Sequence, residues 1–306
     1  YEPGSTFKPV TVASALEEGV VKDGDTYVCK GFETVADYKL KCHVFSTIGS
    51  HGSLTVEQAL MNSCNPYMIH LALEMGNSRF AYYQSLFGFG KITGIDLPGE
   101  TTGIVYGDRM TTIDAACNSF GQTINVNMMQ MMAAYCSIIN GGMLYQPHIV
   151  KRIESANGEV VKEYKANLVR QTITASTSKL LRRYLKNTVE EGTAKKAGVT
   201  GYSVAGKTGT AQKGDRKDNK WIISFIGHAP AENPKFAIYV VIDEPYGTTG
   251  TSGSSADVLT LTHNILEKLL PYMNVYKDAS DEYEDTSSSP DELTVDGIPA
   301  GTASSN

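Results

Sequence analysis

Apolar positions recur at helical spacing from Ser5 to Glu18, after the turn signal Pro3-Gly4 and before a stop at Gly19. A second helical pattern runs over 53–75 through Leu60, Ile69, Leu71 and Leu73 to Gly76. Asn65-Pro66 should break or re-cap it, because proline disfavours α geometry in the residue before it. Shorter helices are expected at about 78–87, 125–140 and 176–191, ended by Gly88, by Asn140-Gly141-Gly142 and by Gly192. The 125–140 pattern carries Met128, Met129, Met131 and Met132, read as core filling rather than as a binding surface. Residues 19–52 and 91–110 read as loops. Strands are expected around 143–154 and 159–164, joined by the hairpin turn Asn157-Gly158. The period then changes. Tyr202–Gln212, Trp221–His228 and Phe236–Asp243 lie at hairpin spacing and predict an antiparallel three-strand unit, with a last helix at about 255–270 covering one face. Past Tyr276 the apolar content falls too low for a packed core, so 276–306 is expected to be a disordered tail after a folded unit over 1–275.

Charge sharpens that boundary. The 306-residue chain has a net charge of −6, yet 278–306 hold eight acids and no Lys or Arg, leaving +2 on the rest. With no basic stripe, nucleic acid is not an expected partner. No apolar run reaches the roughly 18–20 residues of a membrane span.

Candidate chemistry begins in the first helix. Ser5 and Lys8 are three apart, so they share a helix face. A serine hydroxyl becomes a competent nucleophile when a base removes its proton, and an amine one turn away can do so if its pKa is depressed. Free N–H groups at a helix start suit an oxyanion beside Ser5. Ser63-Cys64-Asn65 and Lys207-Thr208-Gly209-Thr210 follow downstream. This order matches the motif set of serine β-lactamases and penicillin-binding proteins.

The words around the motifs are more specific. Residues 1–9 (Tyr-Glu-Pro-Gly-Ser-Thr-Phe-Lys-Pro), 51–66, 120–130 and 201–212 resemble the transpeptidase domain of class B, monofunctional, penicillin-binding proteins, over roughly 1–270. The resemblance implies an α/β (α+β) fold, an antiparallel sheet sandwiched by helices. It also implies that the first strands of that sheet, a pedestal region and a membrane anchor precede Tyr1. The 236–242 strand is then expected to be an unpaired apolar edge and an aggregation hazard, with poor expression unless the upstream segment is restored.

The implied activity is peptidoglycan D,D-transpeptidation, cross-linking stem peptides that end in D-alanyl-D-alanine and inhibited by β-lactams, on the extracytoplasmic face of the bacterial membrane beside a membrane glycosyltransferase. Ser5 is then the nucleophile and Lys8 its base. Ser63 relays a proton to the leaving amine, and Asn65 holds Lys8 and the substrate amide. Lys207 is expected to lower the Lys8 pKa by its charge and to draw the substrate carboxylate to the Thr208 and Thr210 hydroxyls. The resemblance puts the oxyanion hole at the Ser5 and Thr210 N–H groups, and Gly209 is expected to let a substrate strand approach. No Glu-x-x-x-Asn element in a setting like that of class A β-lactamases is recognised, and the triplet ends in Asn65 rather than the Val of class D enzymes, which favours slow deacylation. Other outcomes within the superfamily are a β-lactam sensor, a D,D-carboxypeptidase and a β-lactamase. Catalysis needs no cofactor.

Five cysteines cannot all pair within one chain. Cys117 and Cys136 sit in apolar helical contexts and read as buried thiols. Cys29, Cys42 and Cys64 lie close in sequence with His43, His51 and Asp37 nearby, and with His43 as the fourth ligand they make a tetrahedral zinc set by ligand type, though not by zinc-finger spacing. A Cys29–Cys42 disulfide and unlinked thiols are the other readings.

Overall fold

The computed structural model describes residues 1–214, 220–245 and 254–279. Eight α-helices and eleven strands are found among them. Gly4–Phe7 form a 3-10 turn that runs into α1, Lys8–Glu18, which stops at Gly19 in the left-handed conformation with φ 78°. The 19–52 segment is not loop alone. It carries β1 (Thr26–Cys29), β2 (Phe32–Val35), β3 (Tyr38–Lys41) and a 3-10 turn at His43–Ser46, and β4 (Gly52–Thr55) returns antiparallel to β1. These strands are four residues long, too short to show a period.

The 53–75 pattern is two helices, α2 (Val56–Met61) and α3 (Asn65–Met75). Thr55 caps α2 in a capping box with Gln58. The expected break and re-cap are present: the chain leaves the helix over 62–64, Ser63 takes φ 54°, and Asn65-Pro66 open α3, since proline fits a first helical turn. Next come α4 (Asn77–Leu86), α5 (Thr112–Asn118) and α6 (Met128–Ile139). The pattern gave no helix at α5, although Thr111 and Asp114 form a capping box there. Only Met131 of the α6 methionines is fully buried, and Met128 is exposed, so the stripe fills the core in part.

β5 (Met143–Gln146) pairs with β8 (Asn167–Gln171), and β6 (Arg152–Glu154) with β7 (Val160–Glu163) across the Asn157-Gly158 turn. α7 (Ala175–Glu190) leads to the main antiparallel sheet of β9 (Ala205–Lys213), β10 (Lys220–Ala229) and β11 (Phe236–Asp243), in the order β11-β10-β9. α8 (Ala256–Tyr272) follows.

The sheet alternates its sides as a doubly covered sheet must. Ile223, Phe225, Ile238 and Val240 face α8 with Val258, Leu266 and Leu270. Ile226, Ala237 and Tyr239 face the helical side, where Val10, Leu60, Met68, Tyr135 and Leu181 make the larger core. The expected sandwich is present. Among the described residues β11 pairs as a strand with β10 alone. Residues 276–279 are tied to the domain: Asp278 accepts hydrogen bonds from the Ser203 N–H (2.7 Å) and hydroxyl. The rest of the acidic tail lies outside the described residues.

One contact sets where the first turn sits. A Cβ on Gly209 would lie 2.5 Å from Ser224 Oγ, 2.8 Å from Thr6 Cγ2 and 3.0 Å from the Pro3 carbonyl oxygen. Glycine is therefore needed at 209 so that β9 can pack on the turn holding Ser5, which replaces the expectation that it leaves room for substrate. Gly209→Ala should destabilise the protein by about 1–3 kcal/mol, as overpacking does, and lower the melting temperature by roughly 3–10 °C. An unchanged calorimetric melt would refute this account of the packing.

Candidate active site

The three motif segments converge. Lys8, the first residue of α1, sends its amine away from its own helix to the α2–α3 break. There Nζ donates to the Ser63 carbonyl (2.6 Å), to Ser63 Oγ (2.9 Å) and to Asn65 Oδ1 (2.7 Å). From β9, Lys207 Nζ donates to the same Ser63 Oγ at 3.0 Å, and to the Thr208 carbonyl and hydroxyl at 3.1 and 3.3 Å. One hydroxyl thus stands between two amines, both 0 % exposed. When it accepts from both, its own proton is left to point elsewhere.

None of the three Lys8 Nζ bonds goes to Ser5 Oγ. The expected pairing across one turn is present only in the backbone, where the Lys8 N–H donates to the Ser5 carbonyl. Ser5 itself is partly exposed at the cleft. Catalytic hydrogen bonds in unliganded sites are often long and tighten with substrate.

Ser5 is held by its neighbours. The Gly4 N–H donates to the Gly121 carbonyl at 2.9 Å, and Gly4 sits at φ 58° with its missing Cβ 2.6 Å from the Thr210 carbonyl oxygen. A Cβ on Gly121 would be 2.0 Å from the Gly4 oxygen. The nucleophile's turn is therefore pinched between β9 and the 121–126 segment, whose Thr123 N–H donates to Glu2 Oε1 and whose Val126 N–H donates to the Tyr1 carbonyl. Beneath it, Tyr239 from β11 bonds the Thr6 hydroxyl (3.3 Å) and the Tyr1 hydroxyl. The sequence reading assigned none of these supports to the site, although Gly121 lies in one of the words that carried the resemblance.

Thr208 is nearly buried and faces Lys207, whereas Thr210 is half-exposed, so the two hydroxyls are not equally available to a ligand. Thr193, after α7, ties two walls together. Its hydroxyl donates to the Met61 carbonyl (3.1 Å) and lies 3.4 Å from the Thr208 hydroxyl. A cavity of about 490 Å³ continues along β9 beyond Thr210, between Tyr1, Thr123 and Gln212.

Burial pushes the Lys8 amine down to about 8, against an opposing pull from the Cys42 and Cys64 thiols. Burial also holds Lys207 well below the usual lysine range, with the Lys8 charge as the second cause. The expected direction is thus reversed. Desolvation lowers Lys8, and the repulsion between the amines falls on Lys207. Two cations sharing one acceptor in a dry pocket titrate as a pair, with one proton given up more easily than an exposed lysine would give it.

The cysteine expectation is corrected in one member. The ligand atoms of Cys29, Cys42, Cys64 and His51 all lie within 4.8 Å of one another. His43 is not in the set. It is exposed at the start of its 3-10 turn, whereas the β1–β4 pairing puts Cys29 opposite Gly52 and carries His51 in beside it. None of the five cysteines is in a disulfide, and Cys117 and Cys136 are only partly buried.

The family description "Penicillin binding protein transpeptidase domain" matches residues 1–267. The chain is 41 % identical over 281 residues to Stage V sporulation protein D of Bacillus subtilis, covering 90 % of this chain and 43 % of that protein. It is 32 % identical over 285 residues to peptidoglycan D,D-transpeptidase FtsI of Escherichia coli, covering 91 % and 45 %. The chain therefore spans less than half the length of these curated relatives. Penicillin binding protein 3 from Mycobacterium tuberculosis, solved with aztreonam, superposes with a TM-score of 0.81 at 29 % identity, over 92 % of this chain and 64 % of that one. The D,D-transpeptidase domain from Eggerthella lenta gives 0.79 at 28 %, over 90 % and 66 %. With Ser5-x-x-Lys8, Ser63-x-Asn65 and Lys207-Thr-Gly gathered around one hydroxyl, the chain belongs to the transpeptidase-domain family of class B penicillin-binding proteins.

Proposed function

We propose that this domain is a serine D,D-transpeptidase that cross-links peptidoglycan stem peptides and is acylated by β-lactams. The observation that carries this reading is the Ser63 hydroxyl held between the buried amines of Lys8 and Lys207. The Ser5 hydroxyl attacks the carbonyl of the penultimate D-alanine and gives its proton to neutral Lys8. Ser63, already bonded to Lys8, passes a proton to the departing D-alanine amine. The Ser5 and Thr210 N–H groups meet the oxyanion, at a place where β9 already lies against the Ser5 turn.

The substrate carboxylate is drawn to Lys207 and the half-exposed Thr210 hydroxyl, and its arrival raises the proton affinity of Lys207. A charged Lys207 in turn disfavours charge on Lys8, so binding itself shifts the pair toward the form that acylates. An incoming stem-peptide amine then takes the acyl group. The same reading puts the folded unit outside the cytoplasmic membrane, beside a glycosyltransferase that polymerises the glycan, with the acidic residues beyond 279 as a separate tail.

Three outcomes are expected. Ser5→Ala should abolish covalent labelling by a fluorescent penicillin while leaving the melting temperature within a few degrees; retained labelling would remove Ser5 from its role. Ser63→Ala should slow acylation by about 10²-fold or more, within the usual range for a lost proton relay, and an unchanged stopped-flow rate would eliminate the relay. The pH dependence has a definite sign. Lys8 acts as a base only when neutral, so acylation rises with pH through about 8. The neutral fraction grows from roughly a tenth at pH 7 to roughly nine-tenths at pH 9. A rate that is flat or falling across that range counts against Lys8 as the base.

A further inference from the structure

We propose that Cys29, Cys42, His51 and Cys64 hold one zinc ion that clasps the 26–55 excursion to the Ser63-Cys64-Asn65 turn. The distances fit the metal. Cys42 Sγ lies 3.5 Å and Cys29 Sγ 3.8 Å from His51 Nδ1. Zinc bonds of about 2.3 Å to sulfur and 2.0–2.1 Å to nitrogen at a tetrahedral angle give edges of about 3.5–3.8 Å. All four ligand atoms lie within 4.8 Å of one another, near enough for one ion to gather them with small side-chain shifts.

The backbone supplies donors to all three sulfurs. Each sulfur accepts a backbone N–H: Gly31 to Cys29 (3.4 Å), Asn65 to Cys42, and Tyr67 to Cys64. Such N–H···S bonds stabilise and orient sulfur ligands from outside the coordination sphere. Cys64 is also the N-cap of α3, an 11-residue helix whose amino end favours negative charge. All three thiols are at most 3 % exposed. Three sulfurs and one imidazole gathered in a dry pocket form a donor set that favours zinc among the common divalent ions. Four protein ligands leave no open position, so the ion is structural.

The donors come from separate pieces of chain. Cys29 ends β1, Cys42 follows β3, His51 precedes β4, and Cys64 sits in the catalytic triplet. Within the 26–55 excursion the approach is already tight: a Cβ on Gly31 would lie 2.0 Å from the Gly49 carbonyl oxygen, and the Cys42 N–H donates to the Gly31 carbonyl at 2.7 Å. The Lys41 carbonyl accepts from Asn65 Nδ2 at 3.3 Å, beside the bond from Lys8 to Asn65. By holding Cys64 the clasp also holds its neighbour Ser63 in the left-handed conformation. This last consequence rests on the transpeptidase reading; the metal site does not.

The test begins with the unmodified chain purified under reducing conditions without chelator. Elemental analysis should read about one zinc per chain, and cobalt substitution should give the thiolate charge-transfer and tetrahedral ligand-field bands. His51→Ala should lose the zinc, whereas His43→Ala, an exposed neighbour outside the set, should keep it. Zinc well below one per chain, a Cys29–Cys42 disulfide found by thiol counting, or equal zinc contents in the two histidine variants would overturn the site. Stoichiometry is read on the parent protein, so misfolding of a variant does not decide the matter. Zinc removal should also slow penicillin acylation at least about tenfold, as losing metal-site support commonly does. An unchanged rate would sever the clasp from catalysis while leaving the metal in place. A zinc-loaded protein that never reacts with penicillin would instead count against the transpeptidase reading.

Discussion

Burying two lysine amines around one serine hydroxyl is the constraint the rest of the structure serves. Each ammonium taken out of water costs several kcal/mol unless its donors are met, and among the described residues no carboxylate hydrogen-bonds to either. Lys8 spends its three N–H groups on the Ser63 carbonyl, Ser63 Oγ and Asn65, and Lys207 spends its own on Ser63 Oγ and Thr208. A carboxylate would be the cheaper neutraliser, but it would raise both amines and leave no base at neutral pH. Neutral acceptors satisfy the geometry without satisfying the charge. The unmet charge is what makes one proton easy to remove.

That arrangement requires Ser63 to present its carbonyl and its hydroxyl to the same amine, which an ordinary helical residue cannot do. The chain achieves it by ending α2 at Met61 and starting α3 at Asn65, with Ser63 at φ 54° between them. A non-glycine residue in that region costs of order 1–3 kcal/mol and persists only where its surroundings over-determine it. Here they do. The Ser63 and Cys64 N–H groups cap α2 onto Leu60 and Ala59, Thr193 holds the Met61 carbonyl, and the cysteine cluster takes Cys64.

The parts legible in the sequence are those with a long period or a fixed chemical word. The β9–β11 hairpins, α7, α8 and the three motifs stood out because each spans many residues or repeats a known order. What escaped was short or non-local. Strands β1 to β4 have four residues each, and α5 has seven, marked only by its capping box. His51 replaced His43 because a strand pairing, and not nearness along the chain, brings the imidazole to Cys29. The direction of the lysine coupling was misread for a related reason: burial is the larger cause for both amines, and no residue spacing reports burial.

Gly209 shows how a correct motif can carry an incorrect reason. Its missing side chain points inward, at Ser224, Thr6 and the Pro3 carbonyl, and so lets β9 lie on the nucleophile's turn. Gly4 and Gly121 do the same on the turn's other contacts. Three glycines from three distant segments thus remove the atoms that would hold the Ser5 turn away from β9 and from the 121–126 segment. If the invariant need is this close approach, the Lys-Thr-Gly word and the glycine before the nucleophile are two halves of one packing device. The chemistry of Lys207 and the geometry of Gly209 then answer to different demands, although they stand two residues apart.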